Sequence, residues 1–157
     1  VDDEDAEPIA LTNNDANDFT PDWSVDGQFV VMVRDVGYLK QLIRLDVNTG
    51  EELQLTRLNG DCERPRISPD GTRIAFQMSV NGFSTIYLMN ADGSGEPWAL
   101  SESGYNLMPA WSPDNRYVAY VTELDGDIDV VVSNLDGEQV LRLTDDYYEE
   151  RDLDWRY

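Results

Sequence analysis

The sequence predicts an all-β protein assembled from repeated four-stranded antiparallel units. Three observations carry this prediction. A turn motif recurs as Pro21-Asp22-Trp23-Ser24-Val25-Asp26-Gly27, Pro65-Arg66-Ile67-Ser68-Pro69-Asp70-Gly71 and Pro109-Ala110-Trp111-Ser112-Pro113-Asp114-Asn115, so the step from Pro21 to Pro65 to Pro109 is a constant 44 residues. Each copy is followed by runs rich in β-branched and aromatic residues. No segment shows the 3.6-residue spacing of an amphipathic helix.

The elements follow in chain order. The short segment through the Trp23/Ile67/Trp111 column is the first strand of each unit, a. After the Asp-Gly or Asp-Asn turn comes strand b: Phe29-Val30-Val31-Met32-Val33, Arg73-Ile74-Ala75-Phe76-Gln77-Met78 and Tyr117-Val118-Ala119-Tyr120-Val121. These runs are too continuously apolar for a strand with one wet face, and so predict burial on both faces. Strand c is Leu42-Ile43-Arg44-Leu45, Ile86-Tyr87-Leu88-Met89 and Val130-Val131-Val132-Ser133, closed by Asn48-Thr49-Gly50, Ala91-Asp92-Gly93 and Leu135-Asp136-Gly137. A weaker strand d ends at Leu55-Thr56, Leu100-Ser101 and Leu143-Thr144. The last residue of the a–b turn is Gly or Asn because that position calls for positive φ, and Asp26, Asp70 and Asp114 are expected to accept backbone N–H groups within the turn.

Four strands in a unit of about 40–45 residues describe a propeller blade. The Trp-Ser-Pro-Asp-Asn and Ile-Ser-Pro-Asp-Gly turns, the Ile/Val-Ala-Phe/Tyr strand, Ile-Tyr-Leu-Met-Asn-Ala-Asp-Gly and the Leu-Thr ending resemble the TolB-type, WD-like β-propeller repeat over residues 8–157. The partition is a single repeat domain, 1–157: a partial d strand at 8–12, blades at 13–56, 57–101 and 102–144, and a partial a strand at 145–157. The resemblance implies an extracellular or periplasmic setting, with a scaffold role in the Tol envelope system or a gating role beside the hydrolase domain of a prolyl-oligopeptidase-like serine peptidase.

Composition narrows the chemistry. With 41% hydrophobic residues the chain can build a core, and its net charge of −21 repels nucleic-acid phosphates and anionic membrane surfaces. No apolar run approaches the length of a membrane span, and the acidic start is unlike a signal peptide, as expected of a mature form. The absence of histidine excludes mechanisms built on imidazole, and Cys62 alone can make neither an internal disulfide nor a cysteine metal site. The expectation is a non-enzymatic binding module without cofactor.

Three blades do not close a ring unaided. The expected remedy is self-association through the blade ends, with two copies forming a six-bladed dimeric ring. An open filament, or a longer propeller of which these blades are part, is the alternative. Phe29, Met32, Tyr120, Val131 and Trp155 are the expected seam residues. In a four-stranded meander the b–c hairpins and d–a connections share one end, and there the sequence collects Phe19, Tyr38, Arg64, Phe83, Tyr105, Tyr147 and Tyr148, a set suited to a protein or peptide partner. Trp23, Trp111 and Trp155 are expected to pack between blades. Asp125, Asp127 and Asp129 alternate as calcium ligands can, but lack an EF-hand's sixth-position glycine, and a solvated hairpin accounts for them as well.

Overall fold

A computed structural model describes residues 9–144 and 153–155 of the chain. Among these residues twelve strands form three separate antiparallel sheets. Blade 1 is β1 (Asp18–Trp23), β2 (Phe29–Val36), β3 (Leu39–Asp46) and β4 (Glu52–Gln54). Blade 2 is β5 (Asp61–Ile67), β6 (Arg73–Val80), β7 (Phe83–Asn90) and β8 (Trp98–Ala99). Blade 3 is β9 (Asn106–Trp111), β10 (Tyr117–Leu124), β11 (Asp127–Asn134) and β12 (Gln139–Arg142). Each sheet runs in sequence order, so the a–b–c–d meander read from the repeat is the observed topology.

The turns have the chemistry that the motif requires. Gly27, Gly71 and Asn115 adopt φ of 70°, 73° and 62°, and the Asp26, Asp70 and Asp114 carboxylates accept the amides of Gln28, Thr72 and Arg116 at 3.0–3.1 Å. The Thr/Ser column is a strand clasp: Thr56, Ser101 and Thr144 hydroxyls accept the amides of Leu42, Ile86 and Val130 at 2.8–2.9 Å, tying the end of strand d to strand c in every blade.

The core lies between blades. Phe29, Val31, Val33, Leu42 and Leu55 of blade 1 pack on Cys62, Ile67, Ile74, Phe76 and Met89 of blade 2. Ala75, Ile86, Leu88 and Leu100 of blade 2 pack on Trp111, Val118, Tyr120 and Val131 of blade 3. In blade 2, strand b is therefore buried on both faces because alternate residues serve opposite neighbours, Ile74 and Phe76 towards blade 1 and Ala75 towards blade 3.

This alternation corrects three expected seam residues. Phe29, Tyr120 and Val131 point into the interfaces within the chain, because their register places them on the inward side of blades 1 and 3. Met32 does face outward from blade 1 but is buried in a small cluster with Ile43 and Leu45. The segments read as partial strands also differ: described residues 9–12 and 153–155 belong to no ladder. A d strand needs the c strand of its own blade, and an a strand needs its b strand, and for these two segments neither is among the described residues.

Candidate functional site: the loop end and the channel-side strands

The b–c hairpins and d–a connections gather at one end of the blades. Tyr38, in a two-residue turn after Gly37, is fully exposed, and Phe83 is 61% exposed beside the Asn81-Gly82 turn. Asn81 and Gly82 have φ of 53° and 85°, as do Asp125 and Gly126 at 55° and 90°, the signature of type I′ hairpins whose twist suits the flanking strands. Phe19 and Tyr105 are partly exposed at the same end, and Tyr105 pairs with Ser84 in an isolated bridge that ties blade 2 to blade 3. The topology places Phe19, Tyr38, Phe83 and Tyr105 towards this end, while Arg64 is the fourth residue of β5 and partly buried. Tyr147 and Tyr148 lie outside the described residues.

Arg64 belongs to a pattern that the sequence reading missed. Thr20, Arg64 and Met108, each directly before a proline and each 44 residues from the next, have φ of 40°, 51° and 56°. At each of them strand a carries a bulge, with the register slipping between Phe19 and Asp22, between Glu63 and Arg66, and opposite Ala119 and Val121. A bulky residue in this region is strained and is retained only where surroundings over-determine it. The bulge turns one side chain per blade away from the regular strand alternation within strand a. The recurring residue–proline pair was the signal available in the sequence.

The three a strands line a cleft of about 580 Å³ bounded by Asp22, Trp23, Arg66, Ile67, Trp111 and Trp155. Trp111 is buried and its indole Nε1 donates to the Arg66 carbonyl at 2.8 Å. Asp22 accepts the Ile67 amide at 2.6 Å, and burial pushes its carboxyl above the usual carboxylate range. Trp23 differs from Trp111 in being half exposed, since among the described residues no blade precedes blade 1.

Two of the three alternating aspartates share one cation. Asp129 is buried and paired with Arg142 at 2.8 Å, while Asp125 lies 3.7 Å from the same guanidinium. Among the described residues no group of three His, Cys, Asp or Glu is placed to hold a metal. No helix among them is long and apolar enough to cross a membrane.

Comparison with known proteins matches this geometry. The family described as TolB beta propeller domain matches residues 1–154. A TolB homolog from Chlorobaculum tepidum is 31% identical over 121 residues, which is 77% of this chain and 28% of that protein. The Tol-Pal system protein TolB of Francisella tularensis is 34% identical over 85 residues, covering 52% of this chain and 19% of that one. Among solved structures, a TolB described from Agrobacterium tumefaciens superposes with a TM-score of 0.68 at 26% identity, covering 86% of this chain and 48% of the other. A puromycin-hydrolyzing peptidase of Mycobacterium tuberculosis superposes at 0.69 with 14% identity, over 83% of this chain and 24% of that one, a likeness of fold alone. The chain spans less than a third of the length of these curated relatives.

Proposed function

Because this chain belongs to the TolB β-propeller family, we propose that it is a non-enzymatic interaction module that binds a protein or peptide at its loop end and associates with copies of itself through its blade ends. The observation that carries the first half is the contrast between the two ends. One presents Tyr38, Phe83, Tyr105 and Phe19, whereas the tight turns of the other, such as Asp26-Gly27 and Asp92-Gly93, carry no aromatic residue. Exposed aromatic side chains supply contact area at little entropic cost, which suits them to recognition.

The name of the Francisella relative places that protein in a Tol-Pal system, which supports a component of such a system as the partner, and the periplasmic or extracellular setting is the one that the family resemblance implies. Serving the catalytic domain of a serine peptidase is the alternative function, and its support is likeness of fold alone. A hydrolase segment with Gly-x-Ser-x-Gly in the same reading frame would decide for it.

The binding reading is tested by calorimetric titration of a purified Pal component into wild type and into the Tyr38→Ala/Phe83→Ala double variant. The expected result is binding weakened at least about tenfold with the melting temperature unchanged, since both rings are exposed. Equal affinity of the two proteins, or no binding to either, removes this end as the Pal surface.

A further inference from the structure

The two interfaces between blades differ in chemistry at one place in the repeat. Where blade 2 faces blade 1, Cys62, Phe76 and Met89 are buried in the apolar cluster and Met78 packs against it. One 44-residue step on, where blade 3 faces blade 2, the same four positions are Asn106, Tyr120, Ser133 and Thr122. These side chains satisfy one another and the backbone. The Tyr120 and Ser133 hydroxyls lie 3.1 Å apart, the Thr122 hydroxyl donates to Asn106 Oδ1 at 2.8 Å, and Asn106 Nδ2 donates to the Ser84 and Glu102 carbonyls at 3.1 and 2.9 Å.

The exchange of apolar for polar residues comes with open space. A cleft of about 390 Å³ between blades 2 and 3 is lined by Asn106, Tyr120 and Thr122 together with Glu102, Tyr105 and Glu123, a volume within the range of small-ligand sites. Its walls are tied together, since Asn106 holds the Glu102 carbonyl and the Glu123 amide donates to the Tyr105 carbonyl at 3.2 Å. Tyr105 is 43% exposed, and Glu102 and Glu123 are exposed, with carboxylates that have no hydrogen-bond or ion-pair partner among the described residues. They are the only charged residues that line the cleft among those described. The polar run continues behind Asn106: Ser84 Oγ lies 2.9 Å from Ser79 Oγ, which accepts from Gln77 Nε2 at 3.2 Å. It ends on Gln77 Oε1, a buried acceptor without a partner. The charge at the cleft is negative and the orphaned group linked to it is an acceptor, so a cationic donor complements both.

We infer that this cleft receives an arginine side chain of a peptide partner. A planar guanidinium can stack on the Tyr105 ring while its N–H groups donate to the Glu102 and Glu123 carboxylates. A neutral side chain of the same shape loses both the cation–π attraction and the ion pairs. Between blades 1 and 2 the equivalent positions are filled by Cys62, Phe76, Met78 and Met89, so the site belongs to one interface, and both of its walls are blades with all four strands in place. The cleft opens beside the 101–105 connection at the loop end. The inference therefore rests on the reading that this end binds a peptide, and it names a residue which that peptide carries.

NMR titration of the full chain with N-acetyl-arginine amide tests it, with N-acetyl-citrulline amide as the neutral control of the same shape. Arginine amide should shift the backbone amides of Glu102, Tyr105 and Glu123 with a dissociation constant in the millimolar range, and added salt should weaken it. Citrulline amide should bind at least about tenfold more weakly, an arm that needs no variant to fold. Glu102→Gln/Glu123→Gln should weaken arginine amide about tenfold and Tyr105→Leu about threefold, with the rest of the spectrum unchanged because these side chains are exposed. Tyr38→Ala/Phe83→Ala should bind arginine amide as wild type does, since neither ring lines the cleft. Citrulline amide equal to arginine amide, a double glutamine variant of unchanged affinity, binding lost with Tyr38 and Phe83, or no shift at these residues overturns the inference. The Pal titration described above decides the loop-end reading separately, so a cleft silent to arginine amide beside a successful Pal titration overturns the cleft alone.

Discussion

The indole nitrogen of Trp111 donates to the carbonyl of Arg66 at 2.8 Å, fixing the inner strand of blade 3 to that of blade 2. The ring lies in the cluster between those blades with Val118 and Leu100, so one side chain supplies both the apolar contact and the polar tie. Trp23, at the same place in blade 1, is half exposed.

Trp111→Phe keeps most of the apolar contact and removes the donor, which should cost about 1–3 kcal/mol through the carbonyl left unpaired. Trp23→Phe should change stability by no more than about 0.5 kcal/mol. Urea unfolding of the two variants checks this, and equal effects would show that the Arg66 contact contributes nothing.

Glycines in the turns separate strain from packing. Gly126 has φ of 90°, and a methyl group placed on its Cα would meet no atom within 4 Å, so Gly126→Ala should cost about 1 kcal/mol for its backbone conformation alone. Gly137→Ala carries a similar φ of 85° and also collides with the Leu100 carbonyl, so a loss of about 3 kcal/mol is expected. Denaturant midpoints in the reverse order would mean that the contact between blades 2 and 3 yields freely.

Acid should weaken blade 1 through its ion pairs. The Arg34 guanidinium holds the Asp18 and Glu52 carboxyls below the ordinary carboxylate range. Both folded-state values are lowered, so their stabilisation is complete above the unfolded value near pH 4 and is lost as pH falls through the lowered folded values. The stability difference between wild type and Arg34→Met should therefore be constant near neutrality and shrink below about pH 4. A difference independent of pH down to the acid transition would count against the pairing.

Much of the fold was legible in the sequence because each blade repeats one set of local requirements. The Asp-Gly turn needs positive φ and an acceptor for its amides, strand b needs apolar residues on both faces, and strand d ends in a hydroxyl at Thr56, Ser101 and Thr144. The loop-end aromatics were legible for the same reason, since meander topology alone assigns Tyr38 and Phe83 to one end. The bulge at Thr20, Arg64 and Met108 was visible as residue–proline pairs, but spacing does not reveal a φ angle.

The periodic part of the protein is written in its residues: a turn motif recurring at a 44-residue step, strand order and the family. Packing in three dimensions chose which side of each strand meets which neighbour. That choice placed Phe29, Tyr120 and Val131 inside the chain and exposed Leu143, and it joined Arg34 to Asp18 and Glu52, residues 16 and 18 positions away. A strand buried on both faces reads as apolar throughout, so its composition shows that it is covered while only packing shows by what.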